Sequence, residues 1–136
     1  MGLLDRFRRR PPAPLPSYAD DGTLRLLVSA PDPAVADSAV LAGAGLDPEQ
    51  PLLVRHHLVG LPDAAAVERA RELLAQDGYA LTVVDGPPYD VRAWRTQRLT
   101  ALSAAQERSR MAGLAQRLGG DVAGWDALGP AADDGP

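Results

Sequence analysis

At 136 residues, 46% of them hydrophobic, the chain fits one domain with a modest core once its tails are subtracted. It has no cysteine, which excludes disulfides and thiolate metal sites. A net charge of -4 and a pI near 5.0 argue against a general nucleic-acid binder, since such domains carry a basic face.

The first 22 residues read as a basic, proline-rich flexible arm. Leu3, Leu4 and Phe7 fall on one helical face among arginines, and "RRRPPAPLP" then places four prolines that break helix and sheet. The arm is either a short amphipathic foot for an anionic surface or a solvated tail. Arg6 stands where a myristoylation motif needs Ser or Thr. "MGLLDRFRRRPPAPLP" also lacks the apolar stretch that a secretory signal carries after its basic start, and no apolar run approaches the ~20 residues needed to cross a bilayer. A cytoplasmic location is expected. All basic residues are arginine, and Lys, Ile and Asn are missing, a bias that points to a high-GC bacterial genome.

From Thr23 to Ala30, "TLRLLVSA" alternates Leu24, Leu26 and Val28 against Arg25, Leu27 and Ser29, a strand pattern. Asp32 before Pro33 offers an N-cap and first-turn pair for a short helix that Gly43 and Gly45 end. "PLLVRHHLVG" is a clearer strand, with Leu52, Val54, His56 and Leu58 on one face and Leu53, Arg55, His57 and Val59 on the other. Asp63 caps a helix whose buried stripe is Val67, Ala70, Leu73 and Leu74, and Gly78 supplies a left-handed stop. "YALTVVD" and "DVRAWRTQR" form a hairpin around "GPPY". Thr100 caps a last helix, with Met111, Leu114, Ala115 and Leu118 on its apolar side. Beyond Gly120 the chain becomes rich in glycine and proline, and residues 129–136 are expected to form a flexible tail.

The order is strand, helix, strand, helix, strand, strand, helix. It predicts an α+β fold with a ferredoxin-like split β-α-β-β-α core, an added N-terminal strand and helix, and helices on one face of an antiparallel-rich sheet. The domain is placed at residues 23–128.

Few residues carry chemistry. His56 and His57, adjacent on a strand, point to opposite faces and cannot share a metal ion, so no metal and no cofactor is expected. Asp85 and Asp90 flank the hairpin turn, where turn chemistry accounts for them better than a pair of catalytic acids does. Arg92, Trp94 and Thr96 share a strand face. Single-stranded RNA readers use arginine beside an aromatic, but one aromatic without a glycine-aromatic signature is a thin basis. The structural account packs Trp94 under a helix or the tail and pairs the arginines with acids on neighbouring strands. Glu107 and Arg110 read as a solvated-face pair. No motif for a nucleophile, base or phosphate loop is present, so an enzyme is not expected.

"LVRHHLVGLPDAAAVERARELLAQDGYALTVV", "RAWRTQRLT" and "MAGLAQRLGGDVAGWD" together resemble the RraB family, regulators of ribonuclease E activity, over roughly Ala36 to Asp126. Gly119, Gly120, Gly124, Trp125 and Asp126 match the family's closing signature. Val122 and Ala123 depart from it, standing where the family usually has tyrosine and aspartate. The resemblance implies a small α/β domain that binds a protein, a ribonuclease of the E/G type being the candidate target, rather than nucleic acid directly.

Independently of the family, Gly119 and Gly120 read as a helix stop and chain reversal. Trp125 reads as a ring returning over the helix end or into the gap between helix and sheet, burying about 150–250 Å². The candidate signature or partner-binding residues are therefore Gly119, Gly120, Gly124, Trp125, Asp126, His57, Arg92 and Trp94. The alternative is a ferredoxin-like sensor that binds a small ligand between sheet and helices near His57 and Trp94.

Overall fold

The structure, a computed structural model, describes residues 15–31 and 37–130. The arm's Leu3, Leu4 and Phe7, the Asp32–Pro33 cap and the tail from residue 131 lie outside the described residues.

Among the described residues, five strands and three helices follow in the order β1 (Arg25–Ala30), α1 (Asp37–Ala44), β2 (Pro51–Leu61), α2 (Ala64–Ala75), β3 (Ala80–Asp85), β4 (Tyr89–Arg98), α3 (Ala101–Arg117) and β5 (Asp121–Gly129). The expected caps are in place. Asp63 accepts from the Ala66 amide, and Thr100 and Ser103 complete a reciprocal capping box. Two helices close in the same way. Tyr79 N–H reaches back to Leu74 O and Gly78 N–H to Ala75 O after α2, and Gly120 N–H reaches Ala115 O and Gly119 N–H Gln116 O after α3.

The strands form one antiparallel sheet in the order β1-β5-β2-β4-β3. The three described helices pack against one face. Leu58, Val91 and Ala93 meet Val67, Ala70 and Leu74 of α2 and Met111, Leu114 and Ala115 of α3. Val28, Ala30, Val54, Trp125 and Ala127 meet Ala104 of α3, with Val40 and Leu41 of α1 alongside. The α+β expectation with helices on one face holds.

The segment after Gly120 differs from expectation. Asp121–Gly129 is a strand bonded to β1 on one side and β2 on the other, and it sends the Trp125 ring into the gap between helix and sheet, the second of its two expected placements. Buried within the sheet from Gly124 to Gly129, it gains both sets of ladder bonds, which outweighs the poor strand propensity of its glycines.

A bulge at Ala123 gives β5 its shape: His57 opposes Gly124 while Leu58 opposes Val122. Gly124 has φ +115°, and a Cβ there would sit 2.2 Å from the Ala30 carbonyl oxygen. Only glycine lets β1 close on β5 at this point. Of the two positions read from the sequence as departures from the resembled signature, Val122 packs partly buried against the core and Ala123 is exposed.

Candidate functional site on the open sheet face

Strand alternation sends His56 to the helix face and His57 to the opposite one. On that open face β2 lies between β5 and β4, so Arg55 stands opposite Asp126 on one side and Trp94 on the other, and His57 opposite Arg92. The side chains connect in a line. Arg55 donates to Asp126 through Nε at 2.6 Å and Nη2 at 3.1 Å, a two-pronged contact, and His57 Nε2 lies 2.8 Å from Asp126 Oδ2. The remaining Arg55 nitrogen, Nη1, donates to Asp20 Oδ1 at 2.9 Å, and Arg92 Nε sits 2.8 Å from Asp20 Oδ2. The two carboxylates are the buried members, with side chains 4% and 10% exposed for Asp20 and Asp126. Burial alone pushes the Asp126 carboxyl up, but hydrogen bonds from His57 and Arg55 outweigh it and hold the group below the usual carboxylate range.

Asp20 arrives from residues 15–22, which cross this face as a strap; Tyr18 N–H donates to Thr96 Oγ1 at 2.8 Å. Between the strap and the sheet lies a cleft of about 730 Å³, lined by Tyr18, Ala19, Gly78, Trp94, Arg95 and Thr96 among others. Trp94 therefore sits beside the strap, not under a helix, and fixes its ring by donating Nε1–H to Thr82 Oγ1 at 2.9 Å. Arg92 pairs with the strap's acid rather than with one on a neighbouring strand. The cleft lies between the strap and the end of β4, beside the turn from α2 to β3, with Asp77, Gly78, Arg95 and Gln97 in its lining as well as Trp94 and Thr96, and His57 does not line it.

The helix face holds a second polar cluster. Glu107 is 9% exposed. It accepts from Tyr79 Oη at 2.6 Å, Arg95 Nη2 at 2.7 Å and Gln97 Nε2 at 2.9 Å. The sequence reading that made Glu107 a solvated partner of Arg110 is thus corrected: Arg110 pairs with Asp77. Burial raises the Tyr79 phenol well above its ordinary value, and Glu107 as acceptor adds to the rise. His56, buried beside Tyr79 in an edge-to-face arrangement at 6.1 Å, is pushed by burial down to about 4.

Of the expected site residues, the sheet brings together His57, Asp126 and Arg92, with Trp94 on the same face. Trp125 points into the core on the other side, 1% exposed. Gly119, Gly120 and Gly124 shape the backbone leading to β5: Gly119 has φ +94° at the α3 exit, and a Cβ on Gly120 would meet the Val59 carbonyl oxygen at 2.4 Å. Asp90 accepts the Gly60 N–H and Asp85 that of Gly86, as turn and bulge braces. Sequence reasoning missed Asp20, Arg55 and Arg95. Arg55 was detectable from its strand parity with His57, whereas Asp20 had no local pattern to mark it.

Among the described residues no group of three His, Cys, Asp or Glu side chains is placed to hold a metal ion, and no helix is long and apolar enough to cross a membrane. The geometry defines a small α+β domain with one sheet, helices on one face and an ion-pair line under a strap on the other. The family model described as "Regulator of ribonuclease activity B", RraB, matches residues 39–127, and the chain belongs to that family. The match runs from within α1 into β5, so it includes Arg55, His57, Arg92, Trp94 and Asp126 and excludes Asp20. No curated protein and no solved structure matches the chain.

Proposed function

We propose that the chain is a non-enzymatic cytoplasmic regulator that binds a ribonuclease of the E/G type and restrains RNA decay. The observation that carries this reading is the family match over residues 39–127. Side-chain commitments favour binding over turnover as well. Asp126 is engaged by Arg55 and His57, and Glu107 by Tyr79, Arg95 and Gln97, so these acids are held by partners that orient the sheet. In this reading residues 23–128 form the binding domain. The strand order β5-β2-β4-β3, with α2 and α3 each linking strands separated by one neighbour, supports a ferredoxin-like core for it.

The test uses the purified chain and the E/G-type ribonuclease of the same host. Expected are saturable binding by interferometry and slower cleavage of a labelled RNA. No binding together with unchanged cleavage refutes the assignment. The cleft of about 730 Å³ beside Trp94 favours one second reading, a small-ligand sensor. A metabolite panel that raises the melting temperature, with no ribonuclease bound, would support it.

A further inference from the structure

We propose that Arg55 and Arg92 form a carboxylate-binding site for an acidic, extended segment of a protein partner, and that Asp20 of the chain's own strap occupies it in the free state. The inference deepens the regulator reading and rests on it for the partner being a protein.

The resident group shows what chemistry the site takes. Asp20 places its carboxylate between two guanidinium groups that belong to the matched family region, whereas Asp20 itself lies outside that region. The fit is incomplete. Arg92 Nε and Asp20 Oδ2 form a close ion pair at 2.8 Å, yet both atoms are buried without an aligned hydrogen bond. A carboxylate arriving at a better angle gains what Asp20 leaves unmade.

The strap is also set for displacement. Residues 15–19 have no regular secondary structure, Tyr18 N–H anchors them to Thr96 of β4, and a cleft runs beneath them. An extended partner segment entering there finds the same Thr96 hydroxyl and the Trp94 ring. Once Asp20 leaves, Arg55 and Arg92 face only the Asp126 carboxylate among the acids of their line, and the site is short of one negative charge.

A carboxylate suits this site better than nucleic acid does. Asp126 stands in the same line as the two arginines and disfavours a phosphate chain there, and the whole protein carries a net charge of -4.

The experiment measures fluorescence anisotropy of a labelled peptide, LPSYADDG, the chain's own residues 15–22, titrated with the full-length protein. The Asp20→Ala protein is expected to bind the peptide roughly tenfold or more tightly than the wild type, because the resident competitor is gone. Placing Asn at the position of Asp20 in the peptide, or adding Arg92→Gln to the Asp20→Ala protein, is expected to reverse that gain. Arg92 is chosen because Arg55 also holds Asp126. Equal binding by wild type and Asp20→Ala overturns the proposal, as does indifference to either carboxylate or guanidinium removal. Tighter binding of a single-stranded oligouridine than of the peptide overturns it in favour of RNA. Asp20→Asn accompanies Asp20→Ala, and unfolding of both by circular dichroism makes Asp20 a structural residue and ends the proposal. Since no ribonuclease enters the assay, peptide capture without ribonuclease binding would sink the regulator reading alone, and ribonuclease binding without peptide capture this inference alone.

Discussion

Trp125 donates its indole N–H to Asp37 Oδ1 at 3.1 Å, tying β5 to the first turn of α1. Arg108 of α3 ion-pairs with the same oxygen, so one buried carboxylate joins two helices and a strand. Replacing Trp125 by Ala removes a large fully buried ring and leaves Asp37 with one partner fewer. A loss of about 3–5 kcal/mol is expected, lowering the melting temperature by more than ~10 °C for a domain of this size. Trp125→Phe keeps most of the apolar area and should lose less. Thermal melts followed by circular dichroism decide the point, and an unchanged curve for Trp125→Ala would remove the ring from the core.

Glu107 holds three donors at once. Glu107→Ala strands Arg95, which stacks over the Tyr79 ring at 4.3 Å and cannot swing away without losing that contact. The Arg95 side chain keeps 31% of its exposure, so the expected loss is about 2–3 kcal/mol, below the range for a fully buried pair. Glu107→Gln preserves shape and acceptor and should cost less. Urea denaturation measures both, and a change within ~0.5 kcal/mol for the alanine variant would show the cluster to be dispensable.

His56 gives the stability a pH dependence of defined sign. Its folded value, about 4, lies below its ordinary 6.5, so between these the unfolded chain binds a proton that the folded chain does not. Stability is full above pH 6.5 and falls as pH drops toward 4, by about 3 kcal/mol from this group. His56→Gln should flatten that part of the curve. Parallel slopes for wild type and variant in denaturant titrations across pH 4–7 would assign the dependence to other groups.

Gly124 and Gly113 make a matched test of backbone need. Gly124→Ala forces a Cβ into the Ala30 carbonyl from a φ of +115°, and a loss above ~3 kcal/mol is expected, with β1 detaching first. Gly113 lies within α3, where an added methyl would meet nothing within 4 Å, and Gly113→Ala should stabilise by up to ~1 kcal/mol. Hydrogen exchange of the β1 amides distinguishes local detachment from global loss, and equal effects at the two glycines would contradict the bulge geometry.

Local rules sufficed where an element's signals lie within it. Asp63 and Thr100 announced helix starts, Gly78 and Gly119 helix stops, and the parity of Leu52 to Val59 assigned both histidines to their faces. β5 escaped because "DVAGWDALG" has no alternation to read. A strand bonded on both edges and buried on both faces is defined by distant partners, Arg25–Ala30 and Leu53–Val59. Glu107 does carry a local signal: Ala104, Glu107, Met111 and Leu114 step along one helical face, so the acid stands on the buried stripe. The Asp20 contacts join the strap to Arg55, 35 positions along the chain, and to the still more distant Arg92, separations over which no sequence window speaks.

The place of β5 in the sheet governs the order in which the molecule can be assembled. β2, β3 and β4 can pair as soon as Arg98 has been synthesised, but β1 has no edge to join until Asp121–Gly129 has emerged. The first strand made is thus the last to find its place, and it closes against the final one across almost the whole domain. During synthesis β1 waits unpaired with Val28 and Ala30 uncovered, and a chain that ends before Trp125 lacks every β5 partner of β1.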